Sequence, residues 1–287
     1  MIIVTGANGQ LGRAVVNQLL GRIPADQIGV SVRDPEKAQA LKERGVRVRQ
    51  GDFDDPVSLI HAFEGASQVF VVSSGTLGET ALKHHSTAIN AAKQVGAHRI
   101  VYTSQMGSSP TSFFPPMITH AATEVMLQNS GVAFTSLRNG YYAATALWLL
   151  GNALKTGEVT APEDGPVAWT AHSDLAEVAA ITLSDEVFDG ITPTLTASET
   201  IDLAGIAAIA SELAQRPIRR IVVPDAQYRA DLIAHGAPEQ RADMLLGIFR
   251  ASRHGDFNRI DPILARLINR PPIPLREVLK ASISPAE

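Results

Sequence analysis

Three glycines near the start of the chain have the spacing of a phosphate-binding turn. Gly6, Gly9 and Gly12 follow the β-branched run Ile2–Thr5 and open a segment with helical periodicity. In this context the first glycine permits a tight turn, the second lets backbone N–H groups approach a phosphate, and the third allows close packing of helix on strand. The positive end of the helix dipole would then face the phosphates. The pattern predicts a dinucleotide site, with an ordinary strand-to-helix turn as the alternative. The turn residues expected to contact the cofactor are Gly6, Asn8, Gly9, Gln10, Leu11 and Gly12.

The second predicted strand ends at Arg33, close to where a Rossmann domain inspects the 2′ position of the adenosine ribose. A guanidinium there suits the 2′-phosphate of NADP(H), and Lys37 is a candidate second contact. Asp34 opposes this interpretation, because a carboxylate would accept bonds from the 2′-hydroxyl of NAD(H) and repel a phosphate. The pair Asp34 and Pro35 also has the form of a helix cap, which would turn the carboxylate away. The sequence favours NADP(H) and leaves NAD(H) as the alternative.

Polar residues follow the next predicted strands, at the sheet edge where open α/β folds bind ligands. Asp52 and Phe53 come after the third strand, and Asp52 is a candidate partner for the adenine amino group. Its alternative role, capping the next helix, is better filled by Asp55. Small hydroxyl residues after the fourth and fifth strands are candidate cofactor contacts or simple turn residues. They are Ser73 and Ser74, then Thr103 and Ser104.

The elements that must position these residues alternate between strand and helix, which predicts a parallel sheet covered on both faces. The predicted strands cover 2–5, 27–33, 46–50, 68–72, 99–103 and 133–138, and the predicted helices 11–20, 35–44, 56–63, 79–95 and 117–130. We expect an α/β fold with a Rossmann-type, doubly wound parallel sheet over residues 1–155 and a returning segment near 170–195. A smaller, mostly helical lobe over 156–287 should cover the substrate.

The pattern loosens after the sixth predicted strand. We expect a helix over 141–155, a short strand near Val159 and a helix capped by Ser173 or Asp174. The Pro-rich segment 270–274 should lead into a last helix.

Composition narrows the function classes. The 287 residues are 45% hydrophobic and 19% charged, which is a globular composition, and the net charge of −4 includes no basic run that would bind nucleic acid. The lack of cysteine excludes disulfides, thiolate metal sites and a cysteine nucleophile. No apolar run approaches the roughly 18 residues of a membrane-spanning helix. The N-terminal segment has no secretory features, so we expect a cytoplasmic protein. His84 and His85 are adjacent on a predicted helix and should diverge rather than hold a metal ion.

Several motifs together resemble the NmrA-like branch of the atypical short-chain dehydrogenases. Within that branch the resemblance is to bacterial NADPH-dependent quinone reductases and triphenylmethane-dye reductases, and it covers nearly the whole chain. The motifs are TGANGQLG at 5–12, VRDPEKA at 32–38, RQGDF at 49–53, YTS at 102–104, HAATE at 120–124 and LRNGYY at 137–142. The resemblance implies NADPH on the glycine turn and Arg33, adenine near Asp52, and nicotinamide near Ser73, Thr103 and the Asn139 loop. It also implies a substrate pocket between the lobes.

The candidate catalytic residues come from the last two motifs. The resemblance implies that His120 contacts the nicotinamide ribose, with a solvated or capping histidine as the alternative. Tyr141 and Tyr142 are candidates to stack on an aromatic acceptor held beside Asn139, although we expect at least one of these tyrosines in the core. Glu124 is expected to be structural.

One departure from ordinary short-chain dehydrogenases bears on the substrate. Their Tyr-x-x-x-Lys pair is missing, because Tyr102 is followed four positions later by Met106. A ketone needs a proton on an alkoxide-like oxygen, whereas a quinone gives a phenol-like product with a pKa near the roughly 10 of tyrosine, so water can suffice. The sequence favours direct hydride transfer from NADPH to a small quinone-like or other electrophilic aromatic acceptor. The alternative is a non-catalytic NADP(H)-sensing regulator. A homodimer is left open.

Overall fold

A seven-stranded parallel sheet forms the centre of the fold in the computed structural model, which describes residues 1–185 and 188–283. The strands of the chain are β1 (Ile2–Thr5), β2 (Ile28–Val32), β3 (Arg47–Gln50), β4 (Gln68–Val71), β5 (Arg99–Gln105), β6 (Ala133–Asn139), β7 (Tyr141–Tyr142), β8 (Glu158–Ala161), β9 (Trp169–Thr170), β10 (Gly190–Ile191) and β11 (Arg219–Val222). The order across the large sheet is β10-β6-β5-β4-β1-β2-β3. Strands β7 and β9 form one small parallel sheet, and β8 and β11 form another.

Helices connect the strands and build most of the C-terminal part. They are α1 (Gln10–Leu20), α2 (Gln39–Glu43), α3 (Pro56–Phe63), α4 (Gly78–Gln94), α5 (Pro115–Asn129), α6 (Ala143–Leu150), α7 (Ala153–Thr156), α8 (His172–Ser184), α9 (Leu203–Ala214), α10 (Asp225–Ala234), α11 (Glu239–His254), α12 (Ile263–Ile268) and α13 (Leu275–Ile283). Short 3₁₀ helices cover Ala25–Gln27 and Pro35–Ala38. Within the described ranges, no helix combines the length and the apolar character needed to cross a bilayer.

The central strands β1, β2 and β4 are buried and mostly apolar because helices cover both faces of the sheet. Side chains alternate between the faces, so that Ile2 and Val4 pack with α1, α8 and α12, while Ile3 packs with α3 and α4. These observations confirm the predicted α/β fold with a Rossmann-type, doubly wound sheet and a smaller, mostly helical C-terminal lobe.

Local capping explains why α3 begins where the sequence predicts. The Asp55 carboxylate accepts hydrogen bonds from the backbone N–H groups of Val57 and Ser58 at 3.1 and 3.3 Å, and Pro56 occupies the first turn. Both features satisfy or remove N–H groups that have no partner at a helix start.

A second apolar core is formed by α6, α9, α11 and α13 together with Met106, Phe114 and Met117, which come from the segment after β5 and from α5. Two elements in the C-terminal half of the sequence return to the large sheet. Helix α8 packs on α1, and Gly190 of β10 pairs with Thr135 of β6 at the sheet edge.

Three predicted elements differ from the observed ones. The helix predicted over 35–44 is a 3₁₀ helix over Pro35–Ala38 followed by the five-residue α2. The helix predicted over 141–155 is divided into β7, α6 and α7, because Gly151 adopts a φ of +51° and ends α6. Neither Ser173 nor Asp174 caps α8, whose N-cap is Ala171. The Asp174 carboxylate is buried instead and accepts hydrogen bonds from Arg270 and from the backbone N–H of Ile273.

Candidate dinucleotide-binding site

A cavity of about 740 Å³ opens at the carboxyl ends of β1, β2, β3 and β4. It brings together many of the residues predicted to bind a dinucleotide, which are Gly6, Asn8, Gly9, Arg33, Lys37, Asp52, Phe53, Ser73 and Ser74. Further polar residues line it that the sequence analysis did not assign to the cofactor, namely Thr5, Ser31, Asp54, Thr76 and His84. Thr5 begins the motif at 5–12, whereas the other four residues belong to no motif and come together only through the order of the strands.

The glycine turn has the geometry expected of a phosphate site. Gly6 adopts a φ of +63°, which favours glycine, and its carbonyl oxygen accepts from the Gly9 N–H at 2.9 Å. A Cβ atom on Gly12 would lie 2.4 Å from that same oxygen, so only glycine allows α1 to pack this closely. Gly9 is the N-cap of α1 and supplies no side-chain acceptor, which leaves the first N–H groups of the helix available to an anion.

The rim beyond β2 carries the charges expected to read the 2′ position. Arg33 is exposed on the cavity wall, and no hydrogen bond or ion pair engages its guanidinium within residues 1–185 and 188–283. Asp34 caps the following 3₁₀ helix by accepting from the Glu36 N–H at 3.2 Å, and its other oxygen lies 3.1 Å from Lys37 Nζ. The negative charge of the Asp34 carboxylate is therefore balanced by Lys37, and the guanidinium of Arg33 is the cation available to bind a phosphate.

Two buried polar atoms on the cavity wall are left for a ligand. Within the described part of the chain, Asn8 Oδ1 and Ser31 Oγ have no hydrogen-bond partner, although the amide nitrogen of Asn8 donates to the Asp34 carbonyl at 2.9 Å. Buried polar groups in folded proteins are normally paired. Asn8 Oδ1 can only accept, for example from a ribose hydroxyl, whereas Ser31 Oγ can donate or accept. Together with the N-terminus of α1 and Arg33, which suit phosphates, these atoms fit a dinucleotide.

The other predicted cofactor residues do not line this cavity. Leu11 is buried in the core under α1, and Gln10 is exposed. Thr103 accepts from the Ser73 N–H at 2.8 Å and so supports the cavity wall from behind. Ser104 donates to the buried Glu124 carboxylate at 2.8 Å.

The candidate catalytic residues also lie outside the cavity lining. His120 Nδ1 is 2.8 Å from the hydroxyl of Tyr102, which is completely buried. Burial lowers the pKa of His120 to about 4 and raises that of Tyr102, so both groups are neutral near pH 7.

The Asn139 loop has one core tyrosine and one more accessible tyrosine. Tyr141 packs edge-on against Trp169 and Phe257 in the core of the lobe. Tyr142 is half-buried, and its ring stacks on that of His172 with centroids 4.4 Å apart. Asn139 is buried, and no atom of the described residues pairs with its Oδ1. Of the two tyrosines, Tyr142 is thus the one free to contact an acceptor.

The chain is similar to known NAD(P)H-dependent reductases. A family model described as NAD(P)H-binding matches residues 6–186. The sequence is 34% identical to quinone oxidoreductase 2 of Escherichia coli (strain K12) over 96% of each chain. The crystal structure of an NADPH-dependent quinone oxidoreductase from E. coli complexed with NADPH matches with a TM-score of 0.93 and 33% identity over 99% of this chain and 100% of that chain. The structure of Citrobacter sp. triphenylmethane reductase complexed with NADP(H) gives 0.88 and 29% identity over 99% and 100%.

Replacing Gly9 with valine should abolish NADPH binding while the protein stays folded. The new side chain would occupy the space over the N-terminus of α1 that a pyrophosphate needs. Calorimetry with NADPH measures the effect. Gly21→Val is the matched control, because Gly21 caps the other end of α1 outside the cavity and should keep its affinity. If Gly9→Val bound NADPH as tightly as the unmodified protein, the glycine turn would not be the phosphate site.

Stability should fall with pH below about 6.5, because buried histidines are neutral in the folded protein. Burial lowers the pKa of His120 to about 4 and that of His85 to about 3. In the unfolded chain both titrate near 6.5, so the unfolded state binds more protons and the free energy of unfolding decreases as the pH falls from about 6.5 to about 4. Each histidine adds a slope of at most about 1.4 kcal/mol per pH unit.

Urea unfolding without cofactor at several pH values between about 7.5 and about 4.5 measures this slope. In a His120→Asn protein the slope should be smaller by the share of one histidine. An unchanged slope would mean that the pKa of His120 is the same in the folded and unfolded states.

Proposed function

The chain belongs to the NmrA-like family of NAD(P)H-binding proteins, and on that premise we propose that it is an NADPH-dependent oxidoreductase whose acceptor is a quinone or a similarly electrophilic aromatic compound. When bound, NADPH supplies a hydride, which is two electrons and one proton, and a quinone takes a second proton from water to become a hydroquinone. The residues of the chain bind and orient the two reactants.

The observation that carries the proposal is the polar cavity at the strand ends. The N-terminus of α1, the Asn8 and Ser31 oxygens and the guanidinium of Arg33 all meet there, and none of these three side-chain groups has a hydrogen-bond partner among the described residues. These groups match, in turn, a pyrophosphate, polar atoms of a nucleotide and a 2′-phosphate. NADP(H) is therefore the cofactor that the site fits best.

The acceptor site lies beside Asn139, His120 and Tyr142 in this proposal, between the sheet and the C-terminal lobe. Asn139 offers a buried oxygen that has no partner in the part of the chain that the structure describes, and Tyr142 offers part of an aromatic face. Tyr102 does not serve as a proton donor, because its hydroxyl is buried and bonded to His120. An acceptor that water can protonate agrees with this arrangement.

Three further points belong to the same proposal. Residues 1–155 bind the cofactor, and the lobe from residue 156 covers the acceptor. The protein acts in the cytoplasm. It forms a homodimer, which sedimentation of the purified chain would test directly.

Arg33 should set the preference between the two nicotinamide cofactors. A guanidinium makes charge-assisted bonds to a 2′-phosphate that NADH lacks, and such bonds contribute roughly 1.5 to 3 kcal/mol. Arg33→Ala should weaken NADPH binding about ten-fold or more and leave NADH binding nearly constant. Arg44→Ala removes the same charge from an exposed residue outside the cavity and is the matched control. Equal weakening of both cofactors, or a preference of the unmodified protein for NADH, would mean that Asp34 reads a 2′-hydroxyl.

A steady-state assay with NADPH and a panel of small quinones tests the activity itself. We expect turnover well above the uncatalysed background. Tight NADPH binding without turnover on any acceptor would favour the sensing regulator over the enzyme.

The same assay tests chemistry without a dedicated acid. Tyr102→Phe and Tyr141→Phe should keep most of kcat, because both rings are buried. Tyr142→Phe should act mainly on KM for the acceptor, since it keeps its ring and loses only a hydroxyl. A loss of about a hundred-fold in kcat for any of the three would indicate general acid catalysis of the usual size. That result would make carbonyl compounds the better substrate class.

A further inference from the structure

The wall of the cavity beyond β4 is a short loop, residues 73–76, which we call the Ser74 loop. The N–H groups of three consecutive residues that enter it are all bonded to side chains. Val72 donates to Thr5 Oγ1 on β1 at 2.9 Å, Ser73 donates to Thr103 Oγ1 on β5 at 2.8 Å, and Ser74 donates to His85 Nε2 on α4 at 2.9 Å. The two threonines come from the strands beside β4, whereas His85 reaches the loop from a helix. The path of the loop therefore depends on these side chains.

The hydrogen bonds of His85 fix both its tautomer and its charge. A backbone N–H can only donate, so Nε2 of His85 must be the unprotonated acceptor. Nδ1 then carries the proton and donates to Thr123 Oγ1 at 2.8 Å, and the Thr123 hydroxyl in turn donates to the Thr119 carbonyl at 2.8 Å. His85 is 1% exposed, and burial lowers its pKa to about 3. A charged His85 would place two N–H groups against each other at Nε2, so the neutral ring is the state that holds the loop.

The adjacent His84 holds the same loop from the cavity side. Its Nδ1 lies 2.8 Å from Ser74 Oγ and 3.3 Å from Thr76 Oγ1, and Ser74 Oγ also accepts from the Thr76 N–H at 3.2 Å. The two rings diverge on α4, as expected for neighbours on a helix, yet the loop runs between them. His84 forms hydrogen bonds with the side-chain hydroxyls of the loop, and His85 forms one with the backbone of the loop.

We propose that His85 is a positioning residue for the nicotinamide half of the dinucleotide, which it orders by accepting the Ser74 N–H and so fixing the Ser74 loop. This inference rests on the proposed NADPH-dependent function and deepens it. The glycine turn and Arg33 lie against the phosphates and the adenosine ribose, whereas the loop lines the cavity beside β4, toward β5 and Thr103. The far end of the loop is held separately, because His84 contacts Ser74 Oγ and Thr76 Oγ1 while its Nε2 lies 3.1 Å from Asp54 Oδ2 on the adenine side. Loss of the bond from the Ser74 N–H to His85 would therefore release the Ser73 and Ser74 backbone, toward β5, and leave the His84 contacts beside Asp54 in place.

Two amide variants separate the two contacts of His85. In His85→Gln the amide stands at the distance of Nε2 along the side chain and can accept the Ser74 N–H. In His85→Asn the amide stands at the distance of Nδ1, so it can donate to Thr123 but falls short of the loop. Both variants are uncharged and differ by one methylene. His98→Phe controls for the loss of an imidazole, because His98 is exposed and lies just before β5, at the end of the sheet opposite the cavity.

The measurement compares the binding of NADPH with that of 2′,5′-ADP, a fragment that lacks the nicotinamide half. We expect His85→Asn to weaken NADPH binding about ten-fold or more, because a buried hydrogen bond is lost and its polar partner is left unpaired. The binding of 2′,5′-ADP should be nearly unchanged. His85→Gln should retain NADPH affinity within about three-fold because it restores the bond to Ser74. A purely structural role would weaken both ligands together or neither.

Several results would overturn the inference. NADPH affinity that is unchanged in His85→Asn, or lost equally for both ligands, would remove the link between His85 and the nicotinamide half. If His85→Asn did not fold, His85→Gln would still decide, because a folded His85→Gln protein with weak NADPH binding contradicts the rescue. Failure of the unmodified protein to bind NADPH at all would instead refute the proposed function, so the two failures are distinguishable.

Discussion

The close contact between helix α1 and the carbonyl group of Gly6 is the constraint on which the cofactor cavity depends. A Cβ atom at Gly12 would lie 2.4 Å from this oxygen and 3.0 Å from Ala7 Cα, so the helix can start directly over the end of β1 only with glycine there. This start places the uncapped N–H groups of α1 in the cavity. The opposite side of α1 packs on α8, so the same helix also links the turn to the segment that returns from the C-terminal half. A shift of α1 would therefore disturb both the phosphate site and the packing of α8 against α1.

A second constraint holds α5, the helix that carries His120, against the sheet. The Glu124 carboxylate is almost completely buried and accepts hydrogen bonds from Ser104 on β5 and from Ser136 and Arg138 on β6. Burial alone would raise the pKa of Glu124, but the hydrogen bonds from Arg138 and Ser104 outweigh it and lower the pKa. An ion pair of this kind is costly to break by removing one partner, because a buried charge is left behind. The position of His120 relative to Tyr102 is thus set by groups that lie outside the cavity lining.

The parts of the site that depend on residues close together in the chain could be predicted from the sequence. The parts that depend on the order of the strands in the sheet could not. The glycine turn and Arg33 each follow a strand directly, so their place at the sheet edge can be deduced from the alternation of strand and helix. Ser31 and Thr76 line the cavity only because β2 and β4 flank β1, and neither has a neighbouring residue that marks it. His84 was considered only as a metal ligand and not as part of the cavity, because the spacing shows that adjacent helical residues diverge but does not show the loop that runs between the two rings. The helix predicted over 141–155 failed for a different reason, since Gly151 sits in an apolar run that otherwise continues a helical pattern.

The contact between Tyr102 and His120 helps to explain how an acceptor can be reduced without a Tyr-x-x-x-Lys motif. A tyrosine delivers a proton efficiently near neutral pH when a nearby positive charge lowers its pKa. In the Tyr-x-x-x-Lys motif the lysine supplies this charge. Here burial raises the pKa of the only tyrosine on β5, and its partner is an imidazole whose own pKa burial lowers to about 4, so the partner brings no charge. Tyr102 and His120 together form a neutral, rigid support. Any acceptor in the neighbouring site must consequently tolerate the negative charge that a hydride brings, by delocalising it until water supplies a proton. Extended conjugation with electron-withdrawing groups meets this condition, and a simple ketone does not.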